Sequence, residues 1–249
     1  MQFSSFHYLP PLFLVLALVF AAAVVILQIG ILGYAYEKMG ISRRAAYAIL
    51  FLSLLGASIN IPVAELPGQQ VMGTKEVQYW GVRYLVPVIE QWPGTVLAVN
   101  VGGAIIPTIL SIYLMVKNQI YGSAALGVVI VAAVVHYLAE PVPQMGIAVP
   151  VFIPPIVSAI VAVSLSRDYA APLAYISGCL GTLVGADLLN LNMLGQLGAS
   201  IASIGGAGTF DGVFLTGILA VLLAGSPRSL RHTRHDEPAT AAYDERSTR

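Results

Sequence analysis

Seven long apolar segments dominate this chain and limit what it can fold into. An α-helix needs roughly 20 predominantly apolar residues to cross a bilayer, and each segment approaches that length. Charge is scarce, since nine of the 24 charged residues lie in the last 25 positions and 15 remain for residues 1–224. We therefore predict an all-α membrane protein of about seven transmembrane helices, over residues 10–33, 45–64, 94–116, 121–139, 145–166, 170–194 and 208–224.

The basic residues predict how such a protein is oriented. Cytoplasmic loops carry an excess of Lys and Arg, and in a seven-span topology ten of the 12 basic residues fall on one side. This places the N-terminus outside and the C-terminus in the cytoplasm, with residues 1–224 as the transmembrane domain. Lys75 and Arg83 lie on the external side, and the other ten are Lys38, Arg43, Arg44, Lys117, Arg167, Arg228, Arg231, Arg234, Arg246 and Arg249.

Two segments outside the predicted spans have distinct compositions. The external loop 65–93 contains TKEVQYWGVRYLVP, in which Val, Tyr and Trp surround a glycine. This pattern predicts a short β-hairpin at the membrane surface, and an aromatic anchor at the bilayer interface is the alternative. The tail 225–249 has almost no large apolar residues, so we expect it to be disordered and cytoplasmic.

Composition and motifs exclude several function classes. Formal net charge is zero, which gives no electrostatic basis for binding nucleic acid. Cys179 is the only cysteine, so neither an internal disulfide nor a cysteine-based metal cluster can form. The chain has no HExxH, GxSxG or Walker motif, and we expect no cofactor. The expected partner is the lipid bilayer, in a multi-pass protein of the plasma membrane.

Polar side chains recur at one depth of the predicted spans. Polar or charged groups in hydrocarbon are costly and suggest function by default. In the predicted topology they all fall in the outer half of the bilayer, which predicts a polar site that opens outward. We take Asn100, His136, Glu140 and Asn190 as its binding residues and Asp187 and Asp211 as its reactive ones, with Asn60 and Gln144 at similar depth.

Asp187 and Asp211 lie in consecutive predicted spans and could meet at similar depth. Two carboxylates in a low dielectric share one proton, and such a pair can activate water for amide hydrolysis. Simpler roles remain open for each residue. Asp211 could stabilise a helix start behind Thr209 as the N-cap. Asp187 could make an interhelical hydrogen bond, for example to Asn100 or Tyr175.

His136 and Glu140 are candidate metal ligands. They are four residues apart, which would place them on one helix face, where they could ligate a metal together with an aspartate. Alternatively, Glu140 lies at the water surface and His136 bonds to the backbone of a neighbouring helix.

Four stretches resemble a family of uncharacterised prokaryotic membrane proteins, domain of unknown function 1614. These are ASINIP, NVGGAIIPTILSIYL, YISGCLGTLVGADLLNL and IGGAGTFDGVFLTGILAVLLA, within about residues 45–224. The resemblance implies a membrane location and no established activity.

A weaker resemblance is to intramembrane aspartyl proteases of the presenilin, signal peptide peptidase and prepilin peptidase type. Those enzymes carry one aspartate in each of two consecutive helices, the second in a GxGD motif. Here Asp187 corresponds to the first by position, and Gly206-Ala207-Gly208 precedes Asp211, with Thr209 and Phe210 between them.

Two function classes therefore stay open. The first is a transporter or binding protein that uses the outward-facing polar site for a small cation or a proton-coupled solute. The second is an intramembrane aspartyl protease with Asp187 and Asp211 as its dyad and a membrane protein as its substrate. Whether the chain is an enzyme is left undecided by the sequence.

Overall fold

The computed structural model describes residues 29–67, 70–91, 94–142, 146–194, 200–206 and 212–225. The predicted first span and the predicted disordered tail lie almost wholly outside these ranges, and so does Asp211. The expectations for those parts of the chain, including the division into a domain 1–224 and a tail, stay predictions.

The described helices pack around one central helix. That helix, α6, is buried at every position from Ala170 to Cys179. A π-helical turn, Val101–Ile105, leads into α3, and a second π turn, Leu183–Asp187, extends α6. The helices are α1 Ile29–Lys38, α2 Arg43–Gly56, α3 Ile106–Asn118, α4 Tyr121–Leu138, α5 Ile153–Leu165, α6 Ala170–Thr182, α7 Leu191–Leu194 and α8 Gly212–Leu223.

Seven strands form three small sheets in the described residues. In the largest, β4 lies between β1, to which it is antiparallel, and β7, to which it is parallel. The other two are the hairpins β2–β3 and β5–β6. The strands are β1 Asn60–Pro67, β2 Gln70–Tyr79, β3 Val82–Gln91, β4 Gly94–Asn100, β5 Glu140–Val142, β6 Gly146–Ala148 and β7 Ile201–Ile204.

The prediction of an all-α protein with seven spans is wrong. Among the described residues, three helices are long and apolar enough to cross a membrane: Val101–Asn118, Tyr121–Leu138 and Ala170–Met193. The pair α1 and α2 would add a fourth if it counts as one span, but it is bent by 120°. The helices α5 and α8 are apolar but shorter. Even so, the structure contains helices suited to a membrane.

The error arose where apolar strands continue directly into apolar helices. Predicted span 45–64 ends in β1, and predicted span 94–116 begins with β4. A hydropathy window counts apolar residues and cannot separate a buried strand from a helix. In the loop predicted to hold a hairpin, the structure has β2 and β3, but β1 and β4 flank them as further strands.

Prolines occupy the first turns of two α-helices in this fold. The helix α3 starts at Ile106, directly after the π turn, and Pro107 occupies its first turn. Pro154 and Pro155 stand likewise in the first turn of α5. Proline is tolerated there because its missing N–H would have no partner within the helix.

Glycines allow the helices to approach closely. Gly181 lies against Val131, and Gly185 lies against Ala132 and Val135, so that α6 runs parallel to α4. A Cβ on Gly185 would come within 2.5 Å of the Ala132 carbonyl oxygen, so no larger residue fits without a shift.

The helices run alternately between two ends of the molecule. At one end, Lys117 Nζ donates to Gly40 O at 2.6 Å, and Lys38 Nζ to Leu222 O at 3.4 Å. We call this the basic end, defined by Lys38, Arg43, Arg44, Lys117 and Arg167, which lie where α1, α3 and α5 end and where α2 begins. The opposite end, where α2, α4 and α6 end and the sheet β1–β4–β7 lies, is the sheet end.

Candidate functional site

Two asparagines meet across the sheet at the point where β4 becomes a helix. Asn60 and Asn100 are register partners in β1 and β4, and Asn100 Nδ2 donates to Asn60 Oδ1 at 3.0 Å. The same amide donates to Ala57 O at 2.8 Å, while Asn100 Oδ1 accepts from Gly103 N at 2.8 Å. Asn100 is only 1% exposed. It therefore acts as the N-cap of the π turn and ties α2, β1 and β4 together.

The third strand of this sheet adds a hydroxyl to the pair. Ser203, on β7, donates from Oγ to Asn60 Oδ1 at 2.6 Å. Asn60 Oδ1 thus accepts two hydrogen bonds, one from Asn100 of β4 and one from Ser203 of β7. The three side chains form a polar group across the sheet end, which we call the Asn60–Asn100–Ser203 cluster.

Asp187 lies at the end of the second π turn and contacts the residue just after β7. Its Oδ2 accepts a hydrogen bond from Gly205 N at 2.7 Å. Gly205 has a φ of +83°, and a Cβ there would come within 2.6 Å of Ala104 Cβ. Both the backbone conformation and the close approach require glycine at this position. The partners considered for Asp187 in the sequence, Asn100 and Tyr175, are not the ones observed.

Asn190 holds the π turn in place from its C-terminal side. Its Nδ2 donates to Gly185 O at 2.9 Å and to Ala186 O at 3.0 Å. A π turn shifts the regular ladder of hydrogen bonds and leaves carbonyls in need of donors, and π turns occur frequently at functional sites. Asn190, predicted to line a binding pocket, is 3% exposed and uses its amide to satisfy these carbonyls.

Asp187 has no cationic partner among the described residues. Their ion pairs are Arg43 with Glu37 and Arg83 with Glu76, both on exposed surfaces. The carboxylate of Asp187 is only partly exposed, and it lies within the apolar helix Ala170–Met193. A carboxylate in such surroundings is costly unless it is neutralised by a proton or a bound cation.

His136 and Glu140 do not share a helix face, contrary to expectation. The helix α4 ends at Leu138, and Glu140 begins β5. The physical reason is Pro141, which disfavours the helical conformation of the residue before it. Both side chains are exposed, and no group of three or more His, Cys, Asp or Glu converges in the part of the chain that the structure describes.

The proposed aspartate dyad involves a position that the structure does not describe. Asp211 lies in the undescribed stretch 207–211, just before α8 begins at Gly212. Its separation from Asp187 is therefore not defined, and the protease hypothesis stays a prediction.

Two residues of the site were not predicted from the sequence, and a third was noted only as polar. Ser203 and Gly205 were not singled out, because β7 lay in a stretch interpreted as a connection between spans. Asn60 was noted as polar but not assigned to the site. A usable signal was the pair Gly205-Gly206 directly after the apolar stretch Ile201–Ile204, which is typical of a turn that ends a strand.

Comparison with known proteins gives a family and no activity. No curated protein and no solved structure matches the chain, and nothing in the comparisons supports the likeness to aspartyl proteases. The family model described as protein of unknown function (DUF1614) matches residues 54–223. That range holds every residue of the site described above, from Asn60 to Gly205. The chain therefore belongs to the DUF1614 family.

Proposed function

We propose that this protein is a multi-pass protein of the plasma membrane that binds a small cation or a proton-coupled solute at Asp187, as a transporter or binding protein. The observation that carries the proposal is the carboxylate of Asp187, set in an apolar helix without a cationic partner among the described residues. A carboxylate at such a position lowers the stability of the protein, so we expect it to have a function that outweighs this loss.

The two ends of the molecule support an outward-facing site. Basic residues favour the cytoplasmic side of a membrane, and five of them define the basic end. Asp187 and the Asn60–Asn100–Ser203 cluster lie at the opposite, sheet end. With the basic end in the cytoplasm, the site faces the exterior of the cell.

The oxygen atoms available at the site limit which cation it can bind. Asp187 offers carboxylate oxygens, and no group of three or more His, Cys, Asp or Glu side chains that could hold a metal ion converges among the described residues. Divalent calcium takes six to eight oxygen ligands, usually with several carboxylates. A single carboxylate therefore suits a proton or a singly charged cation better than a divalent one.

Cation binding to the purified protein in nanodiscs tests this proposal. Radiolabelled Na⁺ and Rb⁺ are the probes, measured at pH 6 and pH 8, and Asp187→Asn is compared with Asp168→Asn. Asp168 is an exposed aspartate at the basic end and serves as the matched control. We expect the affinity of the wild type to be higher at pH 8, because protons compete for the carboxylate, and to fall at least tenfold in Asp187→Asn alone.

Two results would count against the proposal. One is equal cation affinity in the wild type and in Asp187→Asn. The other is no binding of either probe by the wild type together with no uptake of protons after an acid pulse to proteoliposomes. A circular dichroism spectrum unchanged between the variants shows that any loss reflects the site and not the fold.

A further inference from the structure

The hairpin β2–β3 ends in an unusual turn. Its two central residues, Trp80 and Gly81, both have positive φ, at 52° and 78°. These signs are those of a type I′ turn, whose central positions normally take Asn, Asp or Gly. A tryptophan in the left-handed region is costly, and here its side chain is 89% exposed. The turn holds a large aromatic group out at the tip of the hairpin.

The hairpin is amphipathic over residues 74–87, where the structure describes its side chains and none of them is buried. Every residue from 74 to 87 is exposed. Cross-strand partners share a face, and one face carries the pairs Val77–Tyr84 and Tyr79–Val82, followed by Lys75–Val86. The other face carries Thr74–Pro87, Glu76–Leu85 and Gln78–Arg83, with an ion pair of 3.4 Å between Arg83 Nε and Glu76 Oε1.

An isolated two-stranded hairpin is at best marginally stable in water, and an exposed apolar face marks a contact surface. The exposed apolar surface continues from the helical body to the hairpin along the chain. Phe51 and Leu55 of α2 are exposed, as are Ile61 and Val63 of β1. The helix and the strand that precede the hairpin in the chain thus also expose apolar side chains.

We propose that the apolar face of the β2–β3 hairpin lies on the outer surface of the lipid bilayer, with Trp80 at the level of the headgroups. Tyrosine and tryptophan concentrate at membrane–water interfaces, where their rings are apolar and their polar atoms reach water. Lys75 can bury its aliphatic stem in this face and extend its ammonium group to a lipid phosphate. The polar face, with Glu76 and Arg83, then faces water.

This inference rests on the proposed membrane location, and tryptophan fluorescence tests it. The sequence has two tryptophans, Trp80 and Trp92, so Trp92→Phe leaves Trp80 as the only emitter. The variant is reconstituted in phosphatidylcholine–phosphatidylglycerol vesicles that contain lipids brominated at carbons 6,7 or at carbons 11,12. We expect blue-shifted emission and at least twofold quenching by the 6,7-dibromo lipid, with weaker quenching by the deeper bromines.

Two outcomes would overturn the inference. Quenching of Trp80 by acrylamide as in a free peptide, with no effect of brominated lipid, would place the hairpin in water. Protection of Trp80 from both acrylamide and brominated lipid would show that the hairpin packs against protein. If that protection is lost when the sample is diluted with excess lipid, the packing partner is a second copy of the chain. Tyr84→Glu, on the apolar face, should reduce quenching by lipid, whereas Gln78→Glu, on the polar face, should retain it.

A reference tryptophan separates this inference from the proposed location. Val129 lies midway along α4 and is 64% exposed, and Val129→Trp is made in a background without Trp80 and Trp92. Quenching of this residue by the 11,12-dibromo lipid, without quenching of Trp80 in its own variant, would overturn the hairpin inference alone. No quenching of either tryptophan would overturn the membrane location as well.

Discussion

Single residues at the sheet end carry the most specific constraints in this molecule. Asp187 depends on one backbone N–H, and that N–H is placed by a glycine in a left-handed conformation beside Ala104. Asn100 satisfies groups from three segments of chain at once. Because these hydrogen bonds are directional and largely buried, small changes here should have larger effects than changes on the exposed apolar surface.

Gly205→Ala should destabilise the protein by about 2–4 kcal/mol. A left-handed φ costs an alanine about 1 kcal/mol, and the clash with Ala104 adds roughly 1–3 kcal/mol of overpacking. Gly40→Ala is the control, since Gly40 has a φ of +76° but only the flexible ammonium of Lys117 nearby. Thermal unfolding in detergent should show a clearly larger loss for Gly205→Ala. Equal losses would mean that the contact with Ala104 is unimportant.

At the scale of elements, the break in α6 is the feature to examine. Regular helix ends at Thr182, the π turn Leu183–Asp187 follows, and Asn190 satisfies two of its carbonyls. This arrangement presents Asp187 towards Gly205 instead of leaving it on a regular helical face. The π turn therefore ends with the Asp187 carboxylate hydrogen-bonded to Gly205 N.

Asn190→Leu should cost about 1–3 kcal/mol of stability, because two buried carbonyls lose their donor. It should also weaken cation binding at Asp187, since the π turn would no longer hold its geometry. Asn192→Leu is the matched control, as Asn192 is exposed two positions further on. Chemical denaturation and the nanodisc binding assay measure the two effects. Unchanged binding in a destabilised Asn190→Leu protein would contradict the role in aiming Asp187.

The sequence predicted some elements well and others not at all, for physical reasons. The bounds of α4 and of the helix Ala170–Met193 were nearly correct, because long uninterrupted apolar stretches with small residues have few alternatives. The strands β4 and β7 were missed, since they pair only through a contact between distant parts of the chain. Asp187 was singled out because a carboxylate in an apolar helix is costly, and its role in a site stays a prediction. Its hydrogen-bond partner Gly205 could not be found in this way, because the contact depends on the same pairing of distant parts of the chain.

At the scale of the whole molecule, the two ends differ in chemistry. One carries the cations Lys38, Lys117 and Arg167, and the other carries Asp187 and the Asn60–Asn100–Ser203 cluster. In the proposed membrane location, this separation would assign the polar site to one side of the membrane. The assignment of the two ends does not depend on the number of spans. The hydrogen bonds from Lys117 to Gly40 and from Lys38 to Leu222 bring the basic residues to one end of the structure.

Labelling of intact cells measures this polarity. In a Cys179→Ala background, a cysteine at His136, exposed near the sheet end, should react with a membrane-impermeant maleimide added outside. A cysteine at Asp168, exposed at the basic end, should react only after the cells are permeabilised. The reverse pattern would place the site on the cytoplasmic side, and labelling of both without permeabilisation would be incompatible with a membrane-spanning arrangement.

The parallel pairing of β4 with β7 has a consequence for biosynthesis. It joins Val96 to Ile201, so roughly 100 residues must be made after β4 before its partner exists. At about 5–20 residues per second, the nascent chain spends on the order of 5–20 s with this strand edge unpaired. An open, apolar edge invites pairing with other chains. Nascent chains from ribosomes stalled between Val96 and Ile201 should therefore aggregate or be degraded. Chains stalled after β7 has emerged should not, because β7 then covers the edge of β4.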